Sequence, residues 1–184
     1  MSTTTWQIDP AHTAIEFGVK HMMFTTVRGS FGAFQGEVAL DQSNPSASAV
    51  QVKIDAASID TGVTDRDNHL RSGDFFDVEA FPQITFRSTQ VNGAIDEGEK
   101  FEIVGELTIR DVTREVVLEA TFDGTGTDPW GGSRSGFGAT TKIDRRDFGL
   151  TWNQALETGG VLVGHDITIT LQVQAVLQQE MAAV

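Results

Sequence analysis

The sequence predicts an all-β protein built from antiparallel strands. Apolar and polar residues alternate with a period of two in eight separate segments, and turn-forming residues stand between these segments. Each segment has one apolar and one polar face, which is typical of antiparallel strands that cover a core on one side. The length of 184 residues fits one all-β domain. We therefore expect a single domain over residues 1–184, in which about eight strands close into a barrel or pack as a sandwich.

The strands follow one another along the chain, and the apolar residues of each one mark its inward face. In chain order these faces span Ile15–Val19, Phe34–Leu40, Val50–Ala56, Ile84–Phe86, Phe101–Ile109, Val116–Phe122, Phe137–Ile143 and Ile167–Val173. Several inward positions hold small residues, namely Gly36, Ala56, Gly105, Ala120 and Ala139. These residues either leave free space for a small ligand or let opposite walls of the interior pack closely.

One segment, Thr61–Pro82, breaks the alternation. It includes Thr64-Asp65-Arg66-Asp67, a capping-box pattern that predicts a short helix near residues 64–73. It ends in three aromatic residues followed by a proline, which are Phe75, Phe76, Phe81 and Pro82. A segment that contains both charged and aromatic residues and interrupts the strands of a β-protein is typical of a lid over a cavity.

The composition excludes several classes of function. The net charge of −13 disfavours binding to nucleic acid, because an acidic surface repels phosphate backbones. The absence of cysteine excludes disulfides, thiolate metal sites and cysteine nucleophiles. The residues Met1–Trp6 have neither the basic nor the apolar region of a secretory signal, and no apolar run is long enough to span a bilayer. These observations predict a cytoplasmic protein without a transmembrane segment.

No motif for catalysis, metal or cofactor binding stands out. The four histidines, His12, His21, His69 and His165, lack the spacing of a metal site. The glycine-rich segment Gly131–Gly136 is neither a phosphate loop nor a nucleophile elbow, and its composition indicates a flexible connection. We therefore predict no catalytic residue, no metal site and no cofactor.

Four basic residues stand where apolar residues are expected or beside aromatic ones. His21 continues the inward parity of Ile15–Val19, so it is either a ligand contact or a histidine satisfied in the core or at its rim. Arg66 and His69 share a face of the predicted helix, because residues three positions apart are neighbours there. Arg145 lies shortly before Phe148. This segment of cationic and aromatic residues is either a solvated turn or part of a cationic mouth to the cavity.

Several short motifs follow one another along nearly the whole chain. They are Trp6-x-Ile8-Asp9-Pro10-x-His12-Thr13, Ile15-x-Phe17-x-Val19-Lys20-His21, Val27-x-Gly29-x-Phe31-x-x-Phe34-x-Gly36, Arg66-Asp67-x-His69-Leu70, Asp74-Phe75-Phe76-Asp77, Phe81-Pro82-x-Ile84-x-Phe86, Gly105-x-Leu107-Thr108-Ile109-x-x-Val112-Thr113 and Ile143-x-Arg145-x-Asp147-Phe148-Gly149. In their order and spacing, these motifs resemble the YceI-like polyisoprenoid-binding family. The resemblance implies a lipocalin-like, extended antiparallel β-barrel with a helical segment near one end. It also implies an apolar cavity that holds a long isoprenoid chain, such as a polyprenyl phosphate or a quinone tail.

Together with the inward parity, the resemblance predicts the binding residues. The apolar cavity is expected to be lined by Phe17, Val19, Phe34, Ile54, Phe75, Phe76, Phe81, Phe86, Ile103, Leu107, Leu118, Ile143, Phe148 and Ile169. The head group is expected to meet His21, Arg66, His69 and Arg145, because charge-assisted hydrogen bonds suit a phosphate.

The family resemblance favours a carrier or store of an isoprenoid lipid that catalyses no reaction. Family members often form dimers, so a homodimer is expected. Many also carry a secretory signal to the periplasm, and this sequence shows no such signal. Two alternatives stay open: an enzyme that acts on such a lipid with His21 or His69 as acid or base, and a solidly packed barrel that binds protein through Trp130 and Trp152.

Overall fold

The computed structural model of the protein describes residues 2–178, in which β-strands are the main element and one α-helix lies between the sixth and seventh strands. The strands are β1 (Thr4–Ile8), β2 (Ala14–His21), β3 (Thr25–Phe31), β4 (Phe34–Leu40), β5 (Ala49–Asp55), β6 (Ile59–Asp60), β7 (Gln83–Asn92), β8 (Lys100–Ile109), β9 (Val112–Thr127), β10 (Ser133–Asp144) and β11 (Val163–Leu177). The helix is α1 (Thr64–Arg71). The predicted domain also includes Met1 and residues 179–184, which lie outside the described residues.

Eight strands form a closed antiparallel barrel. Their order is β1, β4, β5, β7, β8, β9, β10 and β11, and β11 pairs again with β1. Closure satisfies the backbone hydrogen-bonding groups that an open sheet would leave at its two edges. The prediction of an extended antiparallel barrel of about eight strands with one short helix is confirmed.

The long strand β11 borders two different strands on one of its sides. Its first part, Val163–Gln172, pairs with β2, and its last part, Ala175–Leu177, pairs with β1. Strand β2 then continues the sheet through β3 to the short β6. The predicted segment Ile15–Val19 therefore lies in β2, which extends beside the ring of eight, while β1 completes that ring.

An ion-pair cluster fixes the turn between β1 and β2. The Asp9 carboxylate accepts a hydrogen bond from the backbone N–H of Ala11 at 3.0 Å. It also lies 2.7 Å from Nδ1 of His12 and 2.8 Å from Nη1 of Arg134 on β10. The hydrogen bonds from His12 and Arg134 lower the pKa of Asp9 from 3.8 to about 2. The cluster therefore attaches the turn, at which the chain leaves one strand for the next, to the opposite side of β11.

The low pKa of Asp9 predicts a loss of stability in acid. A carboxyl whose pKa is lower in the folded state contributes stability above its unfolded pKa, and this contribution is lost as pH falls from about 4 through 2. We expect Asp9→Asn to lower the free energy of unfolding by about 1 kcal/mol at pH 7, since solvent screens this partly exposed group. Urea unfolding at a series of pH values measures the difference in free energy of unfolding between variant and wild type, which should become smaller between pH 4 and 2. A constant difference across that range would contradict the low pKa of Asp9.

Helix α1 lies at the position that the sequence predicts, although its N-terminus differs from the expected capping box. Val63 holds the N-cap position, and no side chain caps the helix there. The buried carboxylate of Asp67 instead accepts hydrogen bonds from the backbone N–H and the hydroxyl of Thr61. The Arg66 guanidinium donates to the Thr61 hydroxyl and carbonyl oxygens, at 2.7 Å each. The first turn of the helix is therefore anchored to the residue that follows β6.

Buried apolar residues form two clusters, one toward each end of the barrel. We call the end at which α1 lies the helix end and the opposite one the far end. The helix-end cluster consists of Ile15, Phe31, Ala56, Ile59, Phe75, Ile84, Leu107, Ile109, Val116, Leu118, Phe148 and Leu150. The far-end cluster consists of Trp6, Leu40, Val91, Ile95, Phe101, Ala120, Phe122 and Ala175. The interior of the barrel is thus apolar toward both of its ends.

Candidate functional site

Two apolar cavities lie inside the barrel. The larger one, toward the helix end, has a volume of about 200 Å³, and the smaller one, toward the far end, has about 90 Å³. Inward residues of the strands form most of the walls, while Leu70 of α1 and the following Phe75 and Phe76 cover the larger cavity. The surface that faces either cavity is almost wholly apolar. Such a lining suits hydrocarbon, because it offers almost no polar partner to a hydrophilic ligand.

The two cavities meet at one level of the barrel. Six residues line both of them: Ile8, Val52, Phe86, Leu118, Leu171 and Val173. Two glycines make room for side chains at this level. A Cβ atom on Gly105 would lie 2.4 Å from Cζ of Phe86, and one on Gly36 would lie 2.6 Å from Cδ1 of Ile8. The side chains that use this room come from the neighbouring strands β7 and β1. The space above these two glycines is therefore filled from the same wall of the barrel and does not add to the free volume.

Most of the residues predicted for the cavity do line it. Eleven of the fourteen line the larger cavity, namely Phe17, Val19, Phe34, Ile54, Phe75, Phe76, Phe86, Leu107, Leu118, Ile143 and Ile169. Ile103 lines the smaller cavity. The other two lie elsewhere: Phe148 is 1 % exposed within the helix-end cluster, and Phe81 packs under the guanidinium of Arg110.

Arg145 is the predicted head-group residue that lines the larger cavity. It stands at the end of β10, in a short 3₁₀ helix that begins with Asp144 as its cap, and it is 4 % exposed. Its guanidinium donates to four backbone carbonyl oxygens, those of Leu150 at 2.7 Å, Gly164 at 2.8 Å, Trp152 at 2.9 Å and Val163 at 3.3 Å.

The charge of Arg145 is not neutralised by an ion pair with any of residues 2–178. Burial lowers the pKa of its guanidinium, because desolvation disfavours the charged form. Four of its five N–H groups have carbonyl partners, so one N–H on Nη2 is left within this part of the chain. The helix end of the cavity is therefore bordered by a buried cation that has one N–H left over, although the surface that faces the cavity itself is apolar.

The other three predicted head-group residues lie outside the lining of the cavities. The guanidinium of Arg66 is engaged with Thr61, as described above. Nε2 of His69 lies 2.9 Å from a carboxylate oxygen of Asp74, and its ring packs edge-on against Trp152 at 4.7 Å between centroids. His21 ends β2 at the helix end, opposite Val163. The structure therefore does not bring these three side chains together with Arg145 around one point.

Some lining residues were absent from the sequence-based set. Ile15, Val52 and Leu171 share the inward parity of predicted neighbours, so the period-two pattern contains the signal that identifies them. Leu70 and Leu150 lie on the helix and in a loop, where that pattern does not apply. Only the three-dimensional arrangement identifies these two as cavity residues.

The described residues form neither a metal site nor a membrane-spanning helix. Within residues 2–178, no group of three or more histidine, aspartate or glutamate side chains is placed to hold a metal ion. In the same part of the chain, no helix has the length and hydropathy required to cross a membrane.

Comparisons with known proteins agree with the fold and with the sequence motifs. Protein YceI of Salmonella newport is 44% identical over 140 residues, which cover 76% of this chain and 72% of that protein. The crystal structure of BcnA from Burkholderia cenocepacia aligns over 91% of this chain and 98% of its own, with a TM-score of 0.79 and 24% identity. A polyisoprenoid binding domain from Saccharophagus degradans aligns over 95% and 99%, with a TM-score of 0.69 and 13% identity.

The two structural likenesses show a common fold, since both sequences are less than 25% identical to this one. The sequence profile of the YceI-like domain matches residues 6–175, which include every strand from β2 to β10. The resemblance that the motifs indicate is thus confirmed over nearly the whole length, and the chain belongs to the family of YceI-like domains.

Proposed function

We propose that the protein binds an isoprenoid lipid inside its barrel and catalyses no reaction on it. The observation that carries this proposal is the pair of contiguous apolar cavities, which extend from the far end to Arg145 at the helix end. Membership in the YceI-like family and the common fold with a polyisoprenoid binding domain support the same ligand class. An apolar tail in the cavities and a polar group beside Arg145 would match the distribution of polarity along the interior.

The cavity volumes limit what fits without rearrangement. A cavity of about 150 Å³ in another protein holds one benzene molecule, so the two cavities here have room for on the order of ten ligand carbons. Burial of ten carbons contributes roughly 8 kcal/mol at about 0.8 kcal/mol per CH₂. Association of a lipid with the protein costs roughly 4–15 kcal/mol, which has to be subtracted from this contribution. A longer chain, which buries more carbons, would have to displace side chains at the level where the cavities meet, among them Phe86 and Ile8, which line both.

Arg145 supports the proposed position of the head group. A phosphate can receive a charge-assisted hydrogen bond from the remaining N–H, and a quinone carbonyl can receive a weaker one. The phosphate would also neutralise the buried charge, which the carbonyl oxygens around Arg145 satisfy without an ion pair. We therefore place the head group at the helix end, with the tail toward the far end.

Two observations weigh against the alternatives. The histidines considered as acid or base, His21 and His69, lie outside the lining of the cavities, at which a lipid substrate would react. A solidly packed barrel would lack these cavities. Of the two tryptophans considered for binding protein, Trp152 packs against His69, whereas Trp130 is exposed. The use of binding for transport or storage, the homodimer and the cytoplasmic location stay predictions.

The direct test is the lipid itself. Protein purified without delipidation is analysed by native mass spectrometry, or a sample of it is extracted with organic solvent and the extract is analysed for lipid. Delipidated protein is then titrated with farnesol and with longer polyprenyl phosphates. We expect an isoprenoid adduct or saturable uptake of one lipid per chain, with unchanged lipid mass after incubation. Protein that neither carries nor takes up any isoprenoid would overturn the proposal, and a chemically changed lipid would show the enzyme alternative.

A further inference from the structure

The turn between β2 and β3 has an unfavourable backbone for its sequence. Met22 and Met23 are its central residues, and both have positive φ angles, 50° and 65°. Phe24 closes the turn by donating its backbone N–H to the carbonyl oxygen of His21 at 3.1 Å. Turns with two left-handed central residues favour asparagine and glycine, because other side chains crowd the backbone there. Two methionines at these positions are therefore not explained by the requirements of the turn.

The side chains of this turn are exposed, although all three are apolar. Met22 is 41% exposed, Met23 67% and Phe24 80%. Half of the large apolar residues that are exposed within residues 2–178 therefore follow one another in a single turn; the others are Val63, Val117 and Trp130. Consecutive exposed apolar residues mark a surface that meets an apolar partner.

The turn also belongs to a segment without negative charge. The chain has 26 aspartate and glutamate residues in 184, yet residues 17–36 contain none of them. The same segment includes Lys20 and Arg28, which pair across β2 and β3 with Thr26 and Gly18. An apolar tip with cationic residues behind it is typical of elements that lie in the interface of a bilayer, where cations meet lipid phosphates.

The turn lies next to the larger cavity. Val163, which lines that cavity, pairs with His21, the residue before Met22. The backbone N–H of Met22 donates to the carbonyl oxygen of Leu162 at 2.8 Å, which holds the turn against the start of β11. The apolar tip is thus at the end of the barrel where the cavity has Arg145.

We infer that Met22, Met23 and Phe24 form a tip that inserts into the surface of a phospholipid bilayer. A second copy of the chain is a poorer occupant. With about 200 Å² for each large side chain, the three exposed portions amount to on the order of 400 Å², and a stable interface needs about 800 Å² per partner. Insertion of the tip into a bilayer does not depend on the proposed function. A role of this insertion in the exchange of lipid between bilayer and cavity rests on that function.

Vesicle flotation tests the inference with a variant that improves the turn. The triple variant Met22→Asn, Met23→Gly and Phe24→Thr removes the apolar side chains and supplies residues that favour left-handed conformations. We expect vesicles of phosphatidylcholine and phosphatidylglycerol to bind at least tenfold less of this variant than of wild type. Trp130→Ser is the matched control, because Trp130 is 87% exposed in the β9–β10 turn at the far end. Its binding should equal that of wild type.

Further measurements separate the possible outcomes. The thermal unfolding midpoint of the triple variant should equal or exceed that of wild type, and its uptake of detergent-dispersed isoprenoid should be unchanged. Loss of flotation with retained uptake supports the inference and leaves the proposed function intact. Equal flotation of wild type and the triple variant, or an equal loss in Trp130→Ser, overturns it. A wild-type dimer that becomes monomeric in the triple variant, without flotation of either protein, also overturns it and assigns the tip to self-association.

Discussion

Leu171→Trp is expected to lower isoprenoid uptake at least tenfold. Leu171 lines both cavities on β11, at the level where they meet, so an indole there would occupy the path of the lipid tail. A tenfold loss corresponds to about 1.4 kcal/mol of binding free energy, which is less than the burial of two CH₂ groups contributes, roughly 0.8 kcal/mol each. Titration of the delipidated variant with a polyprenyl phosphate measures the effect.

Thr170→Trp is the matched control for this substitution. Thr170 precedes Leu171 on the same strand but is exposed, because successive side chains of a strand point to opposite faces. Its replacement should leave uptake unchanged, and far-ultraviolet circular dichroism should show the same β content for both variants. Equal uptake by Leu171→Trp and wild type would mean that the lipid does not pass this level of the barrel.

Gly105 is less suitable for such a blocking experiment, although it faces inward. A Cβ atom there would lie 2.7 Å from the backbone carbonyl oxygen of Arg87, in addition to its clash with Phe86. A tryptophan at this position would thus force the β7–β8 pair apart. Its effect on uptake would combine a blocked cavity with a damaged wall.

Arg145→Met is expected to lower the free energy of unfolding by about 3 to 5 kcal/mol, because it removes four hydrogen bonds from a charged group. The substitution leaves four carbonyl oxygens, buried or partly buried, without the guanidinium that joins them, including those of Leu150 and Trp152. A buried acceptor without a partner costs about 1–3 kcal/mol. Urea unfolding followed by intrinsic tryptophan fluorescence measures the difference.

Arg146→Met provides the comparison, because the neighbouring side chain has a different environment. Arg146 is half exposed and pairs with Asp144 at 2.6 Å, whereas Arg145 is buried and bonds to backbone carbonyls. We expect the Arg146 variant to lose only a small fraction of the stability that the Arg145 variant loses. Equal losses would show that the carbonyl network around Arg145 does not hold the loop between β10 and β11 in place.

The sequence predicts the walls of the barrel well because their signal is local. Period-two alternation is strong in β5, β8, β9 and β11, and their inward residues follow it. The signal is weaker in β1 and β3, whose short segments contain few apolar residues, and these strands were not among the predicted eight. The closure that makes β1 part of the ring depends on its pairing with β11, which is distant in the chain.

The interior depends on contacts that no local pattern encodes. Gly105 and Gly36 suggest free space in the sequence, but Phe86 and Ile8 fill it from the neighbouring strands β7 and β1. Arg66 and His69 share a helix, yet their partners, Thr61 and Asp74, hold both away from the cavity. Arg145, in contrast, lines the cavity, and four carbonyl oxygens of the β10–β11 loop and the start of β11 hold its guanidinium there.

The sequence by itself determined the all-β class, the position of the helix, the inward faces of the strands and the family. These properties follow from the order of residues along the chain, through side-chain alternation and motif spacing. The tertiary structure alone decided which strands close the ring, how the interior divides into two cavities and which cation faces the larger one. Each of these depends on side chains that are far apart in sequence and meet only after the barrel has closed.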